Sequence, residues 1–160
     1  MVTYCGMFIQ ELATLTAPLR SLLRCDTKWN WNENYDIAFR KIKANLSTKT
    51  LLNYFDNNKK TSLIVDASPV GLGSLLVQKD NDNTSYKIIN YSSRSLTPVE
   101  QRYSQTEREA LAIYFGIKRF HMYLLGIEFD VVTDHKPLVP LFNNERSKPP
   151  MRIERWILNL

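Results

Sequence analysis

The chain has 160 residues, 44% of them apolar, which suffices for one full domain, or one domain with a helical extension, and argues against a disordered chain. Its 21 Lys and Arg against 16 Asp and Glu leave a net charge of +5, a balance that suits a phosphate-bearing partner without requiring one. The longest apolar runs are too short to span a bilayer and no signal peptide is recognisable, so an intracellular protein, cytoplasmic or nuclear and without a membrane partner, is expected.

In residues 7–23, "MFIQELATLTAPLRSLL", the residues Phe8, Leu12, Leu15, Leu19, Leu22 and Leu23 fall near helical spacing. Pro18 is expected to split this stretch into two short helices, because a proline inside a helix removes an amide donor and clashes with the preceding turn. Cys5 and Cys25 fit no metal spacing and read as free thiols. Asn32 is a candidate N-cap for a further helix whose apolar side would carry Ile37, Phe39, Ile42 and Leu46. Trp29 and Trp31, near that helix start, and Trp156 on a later helix face are expected to anchor the core. The polar segment "YFDNNKKTS" is the best internal boundary.

Beyond it the pattern turns to strands. "TSLIVDA" and "GLGSLLVQ" flank a Ser-Pro turn and read as a hairpin, and "YKIINYSS" follows "KDNDNTS" as a third antiparallel strand. A helical period then takes over in "YSQTEREALAIYFGIKRFHMYL", with Ser104 and Glu107 as a capping box and Ala110, Ile113, Ile117 and Phe120 as the buried stripe. "IEFDVVTD" returns to strand, and two short helical pieces close the order β-β-β-α-β-α-α. A helix between the third and fourth strands lets the fourth lie parallel to the first through a right-handed crossover.

Three acids stand out in this order. Asp66 ends an apolar strand, where it either caps the following turn or meets a cation; Glu109 lies in line with the buried row of its helix, or serves as an acid favoured in a first turn. Asp134 closes the last strand or caps the helix after it. Two parallel strands and their crossover helix would bring the three to one end of the sheet, where mutual repulsion makes sense if they hold Mg²⁺ or Mn²⁺. Two such ions can activate a water and stabilise the leaving oxygen of a phosphodiester.

The blocks "VDASPVGLGSLLVQ", "INYSSRSLTPVEQRYSQTEREALAIYFGIKRFHMYLLG" and "FDVVTDHKPL" closely resemble, in this order and spacing, the ribonuclease H domain of gypsy-type LTR retrotransposon Pol polyproteins. The first third resembles the segment joining the reverse transcriptase thumb to that domain. The resemblance implies a helical connection segment at 1–56 and, at 57–160, an α/β RNase H-like mixed sheet flanked by helices. The family continues past the point matching Leu160 into a fifth strand and a helix bearing a fourth carboxylate, so a C-terminally truncated version is expected.

The implied activity is endonucleolytic hydrolysis of the RNA strand of RNA/DNA hybrids with two Mg²⁺ or Mn²⁺ ions. Carried over by position, Asp66, Glu109 and Asp134 are the catalytic and metal-binding residues, and Ser68, Gly71, Gly73, Arg94 and Lys136 are weaker candidates for contact with the hybrid backbone. For the glycines, packing against the crossover helix is an equal alternative. No polymerase motif is present, so the polymerase portion of the same polyprotein is an expected partner rather than an expected activity. His121 and His135 are given no role. The alternative expectation is a catalytically inactive remnant that binds nucleic acid or a polymerase partner.

Overall fold

A computed structural model of the chain describes residues 12–24, 27–47, 52–79, 86–144 and 147–160. The expected helical residues 7–11, both cysteines and the turn at 80–85 lie outside the described residues. Helix α1 (Leu12–Ser21) runs through Pro18 instead of breaking there. The buried face of Leu12, Ala13 and Thr16 outweighs the single amide bond that proline removes. Asn32 caps α2 (Glu33–Ser47), its Oδ1 accepting the Asn34 amide at 3.1 Å.

The apolar side of α2 differs from the expected one. Ala38 and Ile42 are buried, whereas Ile37 and Phe39 are 45% and 46% exposed, because among the described residues the ten-residue α1 is the one element with extensive contact to α2 and covers only a narrow stripe. For the same reason Trp29 and Trp31 are not core anchors: they are 69% and 44% exposed, stacked on each other, with Trp31 edge-on to Phe39.

Three antiparallel strands, β1 (Lys60–Ala67), β2 (Gly71–Lys79) and β3 (Tyr86–Ser95), form the meander that the alternating pattern predicts. After the crossover helix α3 (Gln105–Arg119), strand β4 (Phe129–Val132) lies parallel to β1, giving a four-stranded mixed sheet in the order β3-β2-β1-β4. Period-two alternation then assigns the faces. Leu63, Val65, Leu72 and Leu76 pack under α3, against Ala110 and Ile113 among others. Gly116 permits the close approach, since a Cβ there would stand 3.2 Å from both Leu63 Cδ2 and Ser74 Cβ.

The opposite face carries α1. An added Cβ on Gly71 would lie 2.9 Å from the Ala13 Cβ, the Ala13 amide donates to Ser93 Oγ at 3.2 Å, and Arg20 donates to Ser95 Oγ at 2.9 Å. Helices thus pack on both faces of the sheet, α1 over the Gly71 end of its face. Short helices α4 (His121–Leu124) and α5 (Leu138–Asn143) flank β4 in sequence, and α6 (Met151–Leu158) returns to α3. There Ile153 is fully buried and Trp156 is an anchor as expected, with ring centroids 6.2 Å from both Tyr103 and Tyr114.

At the far end of the sheet, Gln78 is 1% exposed and fully bonded: its Nε2 donates to Asp56 O at 2.8 Å and Thr61 Oγ1 at 2.9 Å, and its Oε1 accepts the Asp56 amide at 3.0 Å. Replacing it with Leu keeps the volume and strands those polar groups. We expect Gln78→Leu to lower stability by about 1–2 kcal/mol in urea titrations followed by circular dichroism. An unchanged midpoint and slope would show that this clamp contributes nothing.

Candidate metal centre

Strand β1 delivers Asp66 next to its last residue, on the face away from α3 and opposite Gly73 of β2. The turn after it is closed by Ser68, whose Oγ accepts the Gly71 amide at 2.9 Å and donates to Gly71 O at 3.1 Å. Asp66 is therefore not needed to cap that turn, and its carboxylate is left exposed.

Helix α3 starts at the expected capping box, with Ser104 and Glu107 bonded reciprocally, and this phasing turns Glu109 inward until it is 2% exposed. Asp134 lies two residues beyond the end of β4 in an exposed turn. It does not cap α5, whose N-cap is Pro137 without a side-chain bond.

These three carboxylates meet: one oxygen from each lies within 4.8 Å of the other two. Burial, and after it the charges of Asp66 and Asp134, push the Glu109 carboxyl up to about 7, against the opposing pull of a hydrogen bond from Gln105 and the charge of Arg108. Glu109 Oε1 accepts from Gln105 Nε2 at 2.6 Å, while Oε2 is buried with no hydrogen-bond partner among the described residues. A buried carboxylate oxygen left unbonded beside two more acids is costly in water alone and fits a hard divalent cation, which takes oxygen ligands. The donor set therefore suits Mg²⁺ or Mn²⁺.

The remaining sequence candidates are placed differently from one another. Gly73 borders the carboxylates with open space above it, an added Cβ meeting only Asp66 O at 3.8 Å, whereas Gly71 is covered by α1 rather than by the crossover helix. Ser68 is half-buried in its turn and Lys136 is exposed two residues after Asp134. Arg94 is not brought to the acids. It lies on the α3 face, 5.5 Å from the Phe115 ring centroid, and grips Glu100 with both terminal nitrogens at 2.8 Å.

That pair sets a pH dependence. The Arg94 hydrogen bonds hold the largely buried Glu100 carboxyl down at about 2, below its ordinary 4.5. A carboxyl depressed on folding contributes stability above its unfolded value and loses it as pH falls through the folded one. After discounting for the partly exposed guanidinium, on the order of 2 kcal/mol should disappear between about pH 4.5 and 2, and much less in Glu100→Gln. Parallel acid melts of the two proteins check this.

Sequence reasoning missed Gln105, Arg108 and Thr106. Gln105 stands one turn before Glu109, a spacing that could have flagged it. Thr106 Oγ1 lies 3.0 Å from His135 Nε2, tying the turn after β4 to the first turn of α3. No signal along the chain announces that contact, because it joins residues 29 apart.

Residues 31–131 match the family described as the RNase H-like domain found in reverse transcriptase. The chain is 36% identical over 161 aligned positions to the Transposon Tf2-3 and Tf2-4 polyproteins of Schizosaccharomyces pombe, an alignment covering 99% of the chain and 12% of each polyprotein. Among solved structures, the foamy viral protease-reverse transcriptase dRH in complex with double-stranded DNA superposes with a TM-score of 0.71 at 18% identity, over 99% of this chain and 28% of that one. The foamy viral protease-reverse transcriptase in complex with RNA/DNA hybrid gives 0.68, also at 18% identity, over 99% and 22%. At that identity the likeness speaks for the fold.

Proposed function

Since the chain belongs to the RNase H-like domains found in reverse transcriptase, we propose that it hydrolyses the RNA strand of RNA/DNA hybrids, as the nuclease part of a gypsy-type retrotransposon polyprotein. The observation that carries this reading is the buried, half-unbonded Glu109 carboxylate facing Asp66 and Asp134. Asp66, Glu109 and Asp134 would hold two Mg²⁺ or Mn²⁺ ions. Bound there, the ions supply Lewis acidity to the attacking water and to the leaving oxygen of the phosphodiester.

The chain's own residues do the rest by placement. Asp66 and Asp134 face solvent, where a strand can reach them, while Glu109 closes the floor of the site. Gly73 leaves the sheet surface bare beside Asp66, so a sugar-phosphate backbone meets no side chain there. Lys136, exposed two residues after Asp134, would contact a phosphate, and Ser68 holds the turn that follows Asp66. The net charge of +5 favours approach of a polyanion. The family resemblance and the hybrid-bound foamy viral neighbour support the choice of a hybrid.

The test offers the chain an end-labelled RNA/DNA hybrid alongside double-stranded DNA and double-stranded RNA of the same sequence, in Mg²⁺ and separately in Mn²⁺. The expected result is cutting of the RNA strand in the hybrid alone, abolished by EDTA. A folded chain that leaves the hybrid intact in both ions would overturn the claim.

A further inference from the structure

The hydrogen bond that reaches Glu109 is itself held from behind. Gln105 Nε2 donates to Glu109 Oε1 at 2.6 Å, and Arg108 Nη2 donates to Gln105 Oε1 at 2.7 Å. The three residues are spaced three and four apart on the first turns of α3, so one helical surface carries the whole relay. An amide is asymmetric. Turned the other way, Gln105 would set its carbonyl against the Glu109 carboxylate and its amino group against the guanidinium, two repulsive contacts in place of two attractive ones. Arg108 therefore decides which end of Gln105 faces the acid.

We propose that Gln105 is a positioning residue for Glu109, aimed by Arg108, which fixes the carboxylate so that Oε2 is presented to a divalent ion. This inference rests on the metal-site reading above. The carboxylate cannot turn about its terminal torsion without giving up a short bond to a charged acceptor, so its free oxygen stays available in one direction. Outer residues of this kind orient ligands and typically change metal affinity or activity by about 10- to 100-fold.

The experiment reads Mn²⁺ binding directly, by the loss of the free-ion electron paramagnetic resonance signal, without substrate or turnover. We expect Gln105→Met, at an exposed position, to weaken Mn²⁺ about tenfold in a chain that circular dichroism shows to be folded. Arg108→Met separates two physical accounts by sign. Removing a cation near a cation site tightens Mn²⁺ if Arg108 acts through its charge alone, and loosens it if Arg108 aims Gln105.

Loosening in Arg108→Met, with the double variant no weaker than Gln105→Met, would support the relay. Wild-type affinity in Gln105→Met, or tighter binding in Arg108→Met, would overturn it while leaving the metal site standing. Should the wild-type chain bind Mn²⁺ no better than Asp66→Asn, the premise fails and this inference with it.

Discussion

Asp66→Asn will cleave hybrid at least about a thousandfold more slowly than the parent chain, a loss corresponding to some 4 kcal/mol of transition-state stabilisation. The amide has nearly the shape of the carboxylate but neither its charge nor its two anionic oxygens, and a hard divalent ion discriminates sharply between them. Because Asp66 is exposed and the turn beyond it is bonded by Ser68, the change should leave the fold intact. Asp134→Asn, also exposed, is expected to behave alike. The assay is single-turnover cleavage of the labelled hybrid, with circular dichroism as the check on folding. Retention of more than a tenth of parental activity would remove Asp66 from the metal centre.

Glu109→Gln should separate activity from stability in the opposite sense. Without an ion, one buried carboxylate stands close to two others with an oxygen unbonded, and neutralising it relieves both the burial cost and the repulsion. We expect the variant to be more stable than the parent by roughly 2–3 kcal/mol in EDTA at neutral pH, an upward shift of about 5–10 °C in melting temperature. Added Mg²⁺ or Mn²⁺ should then raise the parent's melting temperature and leave the variant's nearly fixed, since only an ion bound to the folded state stabilises it. Scanning calorimetry with and without ion decides the matter. A variant that melts lower than its parent would mean that the Glu109 charge is already compensated within the fold.

Much of this was legible along the chain. The alternation in "SLIVDAS" and "GLGSLLVQ" fixed which strand residues face inward, and the S-x-x-E start of α3 set the helical phase that buries Glu109. Both are local signals, and Asp66 and Glu109, which they flag, come together with Asp134 from the end of the last strand. What escaped detection depends on distant neighbours. Pro18 reads as a break until the sheet under Ala13 is known, and Trp29 and Trp31 read as core until the shortness of α1 leaves them uncovered. Arg94 looks like a free cation beside an active strand. Its register on β3 turns it to the other face, where Glu100 and Phe115 take it up.

The docking of α1 also has a history in time. Its polar ties to the sheet span 80 residues from Ala13 to Ser93 and 75 from Arg20 to Ser95, while the β1-β2-β3 meander is stitched by short loops. Closing the short loops sacrifices less chain entropy, so the meander can assemble first and α1 must settle onto a surface that already exists. On the ribosome the order is harsher: α1 emerges before the sheet, and the serines that receive it are made 75 and 80 residues later. Until Ser95 has left the exit tunnel, α1 can pair with α2 but its sheet-facing side has no place to go, which makes that interval the one in which a nascent chain of this kind is most open to capture by chaperones or to aggregation.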